Sequence, residues 1–314
     1  MIIVTGGAGF VGSNLVRGLN ARGERDILVV DDLTDGHKFG NLADCEIADY
    51  WDKDLLQQRL SAGLGFEPRS VFHQGACSVT TEWNGRFMMD ANYRYSTELF
   101  EFCVGNAIPL IYASSASVYG ASKQFSEDPE FERPLNVYGY SKLLFDHYVR
   151  RRLGAVSSQV VGLRYFNVYG PGESHKGSMA SIVWHLSRQI EQHGEARLFE
   201  GSDGYDAGEQ RRDFVYVDDV VDVNLWFADH PDCSGVFNVG TGQAASFNDL
   251  ARAAIEWHGK GEIVYIPFPE ALEGSYQSFT QADISRIRAA GYDADFADVR
   301  AGVCAYLDCL TEAQ

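Results

Sequence analysis

The glycine run Gly6-Gly7-Ala8-Gly9-Phe10-Val11-Gly12 constrains this chain more than any other feature. It follows the apolar segment Met1–Thr5 and opens a stretch in which Val11, Leu15 and Leu19 recur at helical spacing. A chain that passes from strand to helix in so few residues needs positions without a Cβ, and such positions also let the backbone approach an anion. The new helix then offers unpaired N–H groups and the positive end of its dipole, so the predicted ligand of this turn is a pyrophosphate.

Further apolar runs of strand length lie at Asp26–Asp31, Ser70–His73, Pro109–Ser114 and Gln159–Arg164. Helical periods lie between them, with Phe87, Ala91 and Tyr95 predicted to share one helix face. This alternation predicts an α/β fold, a Rossmann-type doubly wound parallel sheet of five strands and four crossovers over residues 1–166. After about Tyr165 the pattern loosens into glycine-rich turns, Gly170 to Gly177 and Gly201 to Gly208, as expected of a smaller C-terminal substrate-binding lobe over residues 167–314. Within that lobe Val236-Phe237-Asn238-Val239-Gly240 reads as a buried strand, so residues from about 213 to 240 are expected to return to the main sheet. Tyr205 to Gln210 reads as a surface loop.

A chain of 314 residues with 45% hydrophobic content can bury such a core. Its net charge of −18 repels phosphate backbones and anionic membranes, so neither nucleic acid nor membrane is an expected partner. A small anionic ligand is still compatible, because a helix terminus acts locally. The six cysteines contain no CxxC pair and no metal-ligand spacing. Together with the strand beginning at Ile2 and the lack of a long apolar run, they predict a cytoplasmic protein with reduced thiols and no metal.

Tyr-x-x-x-Lys occurs twice, at Tyr119/Lys123 and Tyr138/Lys142. Tyr119 precedes Gly120 in a polar stretch without apolar period, whereas Tyr138 begins a helical pattern after Pro134 that continues through Ser141, Phe145 and Val149. Residues four apart share a helix face, so Lys142 would lie beneath the ring of Tyr138. A phenol with a pKa of ~10 is about one part in a thousand ionised at neutral pH, a deficit that a neighbouring ammonium can offset. Tyr138 is therefore the predicted base.

Taken in order, the glycine turn, Tyr138/Lys142, Arg164-Tyr-Phe-Asn-Val-Tyr-Gly-Pro171, Arg212-Asp-Phe-Val-Tyr-Val-Asp-Asp219 and Phe237-Asn-Val-Gly-Thr-Gly242 resemble the extended short-chain dehydrogenases/reductases that act on nucleotide sugars. The likeness spans the whole chain. It implies a cofactor site made of Gly6, Gly9, Phe10, Val11, Gly12, Asp31, Asp32, Lys38, Lys53, the loop Gln74, Gly75, Ala76, Cys77 and Ser78, then Asn92, Tyr138, Lys142, Val168 and Lys176. Asp31 at a strand end suits the ribose of NAD, while lysines at positions 38 and 53 are implied to meet the 2′-phosphate of NADP; NADP is the expected cofactor and NAD the alternative. Ser115 matches the triad serine, with Ser114 as the other candidate. Ala116 and Ser117 stand where dehydratases of the family carry an acidic pair, which disfavours elimination.

Thr80-Thr81-Glu82-Trp83, Met88-Met89-Asp90 and His175-Lys176-Gly177-Ser178-Met179-Ala180-Ser181 resemble the heptose 6-epimerases within this family. That resemblance implies an ADP-heptose substrate inverted through a 6-keto stage, with Tyr138 and Lys176 each serving one epimer, and a homo-oligomer, of which a pentamer is one form. It also implies that Asn167, Ser178, His185, Phe199, Glu200, Gly201, Ser202, Arg212 and Tyr276 contact the ADP moiety. Of these, Arg212 has the clearest physical reason, since a guanidinium binds phosphate oxygens in pairs.

Overall fold

Near-continuous runs of Ile, Val and Leu form strands that are buried on both faces, the mark of a parallel sheet covered by helices. The structure is a computed structural model that describes residues 1–269 and 277–312. In chain order its elements begin with β1 (Ile2–Thr5), α1 (Phe10–Ala21), β2 (Ile27–Asp31), β3 (Asp49–Asp52), α2 (Lys53–Ala62) and β4 (Ser70–His73). There follow α3 (Gly85–Met89), α4 (Tyr95–Gly105), β5 (Leu110–Ser115), α5 (Val137–Arg150), β6 (Val160–Tyr165), β7 (Asn167–Tyr169), α6 (Ile182–His193) and β8 (Glu195–Phe199). The rest comprises β9 (Arg211–Arg212), β10 (Phe214–Tyr216), α7 (Val217–Asp229), β11 (Gly235–Val239), β12 (Ala245–Ser246), α8 (Phe247–His258), β13 (Glu262–Ile266), α9 (Ser285–Ala289) and α10 (Val299–Glu312).

Seven parallel strands make the main sheet, in the order β11-β6-β5-β4-β1-β2-β3. The expected α/β doubly wound fold is present, and β11 does rejoin the sheet beside β6. The chain runs outward in both directions from β1, so the switch point lies between β1 and β4, where open α/β sheets place their ligand crevice. Strand alternation divides the core. Ile2, Val4 and Val29 face α1 and α7, packing on Leu15, Val16, Leu19, Val220 and Val221. Ile3, Leu28 and Val30 face the other way, against Leu99, Phe100 and Cys103 of α4 and Phe145 and Val149 of α5. A third cluster, with Val183, Leu186 and Ile190 of α6, Leu250 and Ala254 of α8 and Val303 and Tyr306 of α10, builds the part of the molecule beyond the sheet.

Two expectations need correction. Strand β3, Asp-Tyr-Trp-Asp, was not among the expected strands: it is a short edge strand with both aspartates exposed, and charged edge strands carry little apolar signal. Phe87, Ala91 and Tyr95 do share a face, turned toward the ligand crevice, but it does not belong to one α-helix. A π-helical turn over Asp90–Arg94 separates α3 from α4 and shifts the register, so Met88, Asn92, Ser96 and Leu99 are buried while Phe87 is exposed. The loop Tyr205 to Gln210 lies partly on the surface, but its end is packed inside, where Gln210 donates to the Glu200 carbonyl (3.0 Å) and Ser202 Oγ (3.1 Å). Among the described residues no helix is long and apolar enough to cross a membrane.

Candidate active site

At the crevice the glycine turn leaves no room for side chains. Gly6 adopts φ +67° with Gly75 N 2.6 Å from where its Cβ would stand, and a Cβ on Gly12 would lie 2.0 Å from Gly6 O. Gly9 caps α1 without a side chain and the first turn of that helix has no acidic residue, so its N–H groups and dipole face the cleft with no competing anion of their own. At the end of β2, Asp31 Oδ2 accepts from Ala8 N (2.8 Å), and Lys38 bridges Asp31 and the Asp32 carbonyl. Lys53 pairs with Asp32, and that hydrogen bond holds the Asp32 carboxyl well below the usual carboxylate range. This cradle fits a dinucleotide pyrophosphate, with the two ammonium groups gathered where the adenosine ribose would lie.

Helix α5 carries the predicted tyrosine and lysine. Asn136 caps it by accepting from Gly139 N (2.8 Å), and a Cβ on Gly139 would come within 2.6 Å of Ser117 O, so the first turn presses on the end of β5. There the Ser115 hydroxyl hydrogen-bonds the Tyr138 phenol, lowering its pKa, while burial, the larger effect, pushes it up. Lys142 is 5% exposed and donates to Ala113 O (2.9 Å); burial pushes its pKa down to about 8, opposed by the Asp146 charge one turn on. Ser114 points the other way. Its hydroxyl and that of Tyr112 both donate to Asp146 (2.9 Å each), leaving Ser115 as the serine beside Tyr138.

The π turn has a local purpose. It aims Asn92 inward, where Oδ1 accepts from Cys77 N (2.8 Å) and Nδ2 donates to Cys77 O (2.9 Å) and Ser141 Oγ (3.2 Å), tying the loop Gln74–Ser78 to α5. Gln74 is held by the Tyr165 hydroxyl (3.0 Å). Lys176 lies on a 3-10 segment, Ser174–Met179, with its ammonium 5.0 Å above the Phe10 ring.

A cleft of about 1110 Å³ joins these parts. Every residue expected at the cofactor lines it except Asn92, which acts from behind, and Ser115, Tyr138, Lys142, Lys176 and Asn167 share its wall. Of the residues expected at the ADP moiety, Ser178, His185, Phe199, Glu200, Gly201, Ser202 and Arg212 do not line this cleft, and Tyr276 lies outside the described residues. Phe87, Ala91 and Tyr95 line it as well, and Tyr95 also packs against the core cluster of Leu99 and Phe100. Two residues here escaped the sequence reading. Asn41 Nδ2 donates to Ala8 O (3.0 Å) and Gly172 O (2.9 Å), and Glu173 is a wholly buried carboxylate beside Lys176. Asn41 ends a short 3-10 helix and Glu173 precedes another, and segments so short show no apolar period from which burial could be read.

The sequence profile of the NAD dependent epimerase/dehydratase family matches residues 2–240. The chain is 62% identical, over its full length and 98% of the relative, to an ADP-L-glycero-D-manno-heptose-6-epimerase of Alkalilimnicola ehrlichii. It is also similar to the crystal structure of the Helicobacter pylori ADP-L-glycero-D-manno-heptose-6-epimerase, with a TM-score of 0.85 at 35% identity, covering 99% of this chain and 96% of the other. A Thermus thermophilus UDP-glucose 4-epimerase in complex with NAD matches with a TM-score of 0.81 at 26% identity, covering 100% and 99% of the two chains.

Proposed function

Because the chain belongs to the NAD dependent epimerase/dehydratase family, we propose that it inverts C6 of the heptose in ADP-D-glycero-D-manno-heptose to give ADP-L-glycero-D-manno-heptose, supplying inner-core heptose for lipopolysaccharide. One observation carries the two-base form of this reading: Tyr138 and Lys176, two groups able to carry a proton, reach one cleft from separate elements. A nicotinamide cofactor, held by the glycine turn, Asp31 and Lys142, would supply the hydride acceptor and donor for C6.

The chain's own residues manage the proton and the geometry. Tyr138 takes the hydroxyl proton of one epimer, and the Ser115 hydroxyl steadies the oxygen beside it. Lys142 positions the nicotinamide ribose, and its charge favours the phenolate. After the exocyclic side chain rotates, the carbonyl oxygen lies elsewhere, and Lys176 supplies the proton there. Residues 1–166 are assigned to the cofactor and 167–314 mainly to the substrate.

Incubation of the purified protein with ADP-D-glycero-D-manno-heptose, without added reductant, should give the L-glycero product by NMR. Net consumption or release of NADPH in proportion to product would overturn the epimerase reading in favour of a net oxidoreductase.

NADP is the proposed cofactor, on the ground that Lys38 and Lys53 converge beside Asp31 and Asp32. Combining Lys38→Ala with Lys53→Ala should weaken NADP at least tenfold more than NAD, since an ammonium that loses a phosphate partner forfeits a charge-assisted bond of roughly 1.5–3 kcal/mol. Equal losses in a titration with both cofactors would remove the lysines from 2′-phosphate recognition.

A further inference from the structure

Glu173 is 0% exposed, and nothing in the reaction described so far uses it. Its Oε2 accepts from Ser181 N (2.6 Å), its Oε1 from Ser181 Oγ (2.5 Å), and the Tyr306 hydroxyl of α10 donates to the same carboxylate. A wholly buried carboxylate is costly unless it meets a positive charge as well as hydrogen bonds. The charge it meets is Lys176, whose ammonium lies 3.7 Å from Oε2.

The same segment is anchored at its other flank. Asn14 Nδ2 donates to Pro171 O (2.8 Å) and Asn41 Nδ2 to Gly172 O (2.9 Å), so the chain entering Glu173 is tied to α1 and to the segment that carries Lys38. Just past Lys176, Gly177 at φ 55° and ψ −124° turns the chain through a conformation that favours glycine. Between these anchors the lysine extends above the Phe10 ring at the cleft wall.

We propose that Glu173 is a positioning residue for Lys176, its buried carboxylate serving as the fixed countercharge that holds the ammonium at the cleft and joins that loop to α10 through Tyr306. The role rests on Lys176 being the second proton carrier. Burial lowers the Lys176 pKa and Glu173 raises it, so the carboxylate also governs how readily the lysine keeps its proton. The other groups near the pair are His175 on the same segment with Lys38 beyond it, the Phe10 ring from α1, and Tyr306 of α10 with Arg188 of α6. Among these only Glu173 is an acid in contact with the ammonium.

Glu173→Gln keeps the shape and one acceptor oxygen for Ser181 N while removing the charge. Its effect is read with an ADP-sugar analogue shortened by the terminal carbon, whose C6 is an aldehyde. One molecule, as its hydrate, loses hydride and a proton and leaves as the acid; a second takes that hydride and a proton and leaves as the alcohol. In a Tyr138→Phe background this dismutation depends on Lys176. Adding Glu173→Gln should move the midpoint of its pH profile down by about one pH unit or more, the usual effect of losing an opposite charge at this range. In a Lys176→Met background the same substitution should leave the pH profile in place. Tyr306→Phe, which keeps the charge, should leave the midpoint unmoved in both. A Glu173→Gln profile that falls in height without moving, equally in both backgrounds, would reduce Glu173 to a structural residue and overturn the proposal while leaving the two-base reading intact. Loss of all Lys176-dependent dismutation in Tyr138→Phe alone would instead overturn the two-base reading, and the proposal with it.

Discussion

The chain contains two tyrosines followed four residues later by a lysine, and the structure gives them opposite fates. Tyr138 and Lys142 occupy consecutive turns of α5, open to the cleft. Tyr119 is 0% exposed, donates to Asn238 Oδ1 (2.6 Å) and accepts from Arg164 (3.1 Å), while Lys123 is exposed beyond the turn at Gly120, whose φ is +47°. Burial pushes the Tyr119 phenol far above its ordinary range. The spacing puts a tyrosine and a lysine on one face only when the backbone between them is helical. In the Tyr119 segment a positive φ breaks the face that the two residues would have shared.

The largest expected effect separates the tyrosines. Tyr138→Phe should reduce epimerisation by ~10² to 10⁴, the usual contribution of an acid-base group. Tyr119→Phe should leave the rate within a few fold and lower stability by roughly 1–3 kcal/mol, because Asn238 and Arg164 lose a buried partner. Steady-state rates and denaturant melts of both variants test the contrast, and a more damaging Tyr119→Phe in the rate assay would reverse it.

Next in size is a stability effect confined to the buried lysine. With a native pKa of about 8, Lys142 binds its proton less tightly in the fold than in the unfolded chain. The resulting penalty is full below pH 8, shrinks as pH rises from 8 toward the unfolded value, and is gone above it. Lys142→Met should therefore stabilise the protein at pH 7 by about 2 kcal/mol, taking ~3 kcal/mol for the relieved protonation and ~1 kcal/mol lost at the Ala113 carbonyl. Melts of both proteins from pH 7 to 10 should converge with rising pH. A gap that does not narrow would contradict the assigned pKa. Smallest of all, Lys123→Ala should change stability by less than ~0.5 kcal/mol and the rate not at all, as at other exposed positions without partners in the core. A rate loss of tenfold in the same assay would mean that the second pair also serves the reaction.

The parts of this molecule readable from its sequence are those where local pattern and tertiary role agree. The glycine turn, the apolar strands and the helix after Pro134 announce themselves through backbone requirements and periodicity that the fold then uses unchanged. Strand β3 was hidden because an edge strand is stabilised by hydrogen bonds to β2 more than by apolar burial. The break between α3 and α4 was hidden because a π turn over Asp90–Arg94 leaves no mark in the apolar period. Ser114 and Ser115 alternate across β5, so only the position of Asp146 on α5 decides which one meets Tyr138. Glu173 gives no sign of its burial in the sequence, because the Tyr306 hydroxyl that donates to it comes from α10, far along the chain.

Two-base epimerisation depends most directly on Lys176. Purified Lys176→Met, first shown by thermal melt and cofactor titration to fold and to bind cofactor as the parent does, is given ADP-D-glycero-D-manno-heptose and the L-glycero product is followed by NMR. With Tyr138 left to serve a single epimer, epimerisation should fall by ~10² or more while aldehyde dismutation stays measurable. Epimerisation within a few fold of the parent rate would contradict the two-base reading and leave Lys176 as a cofactor contact or a surface charge.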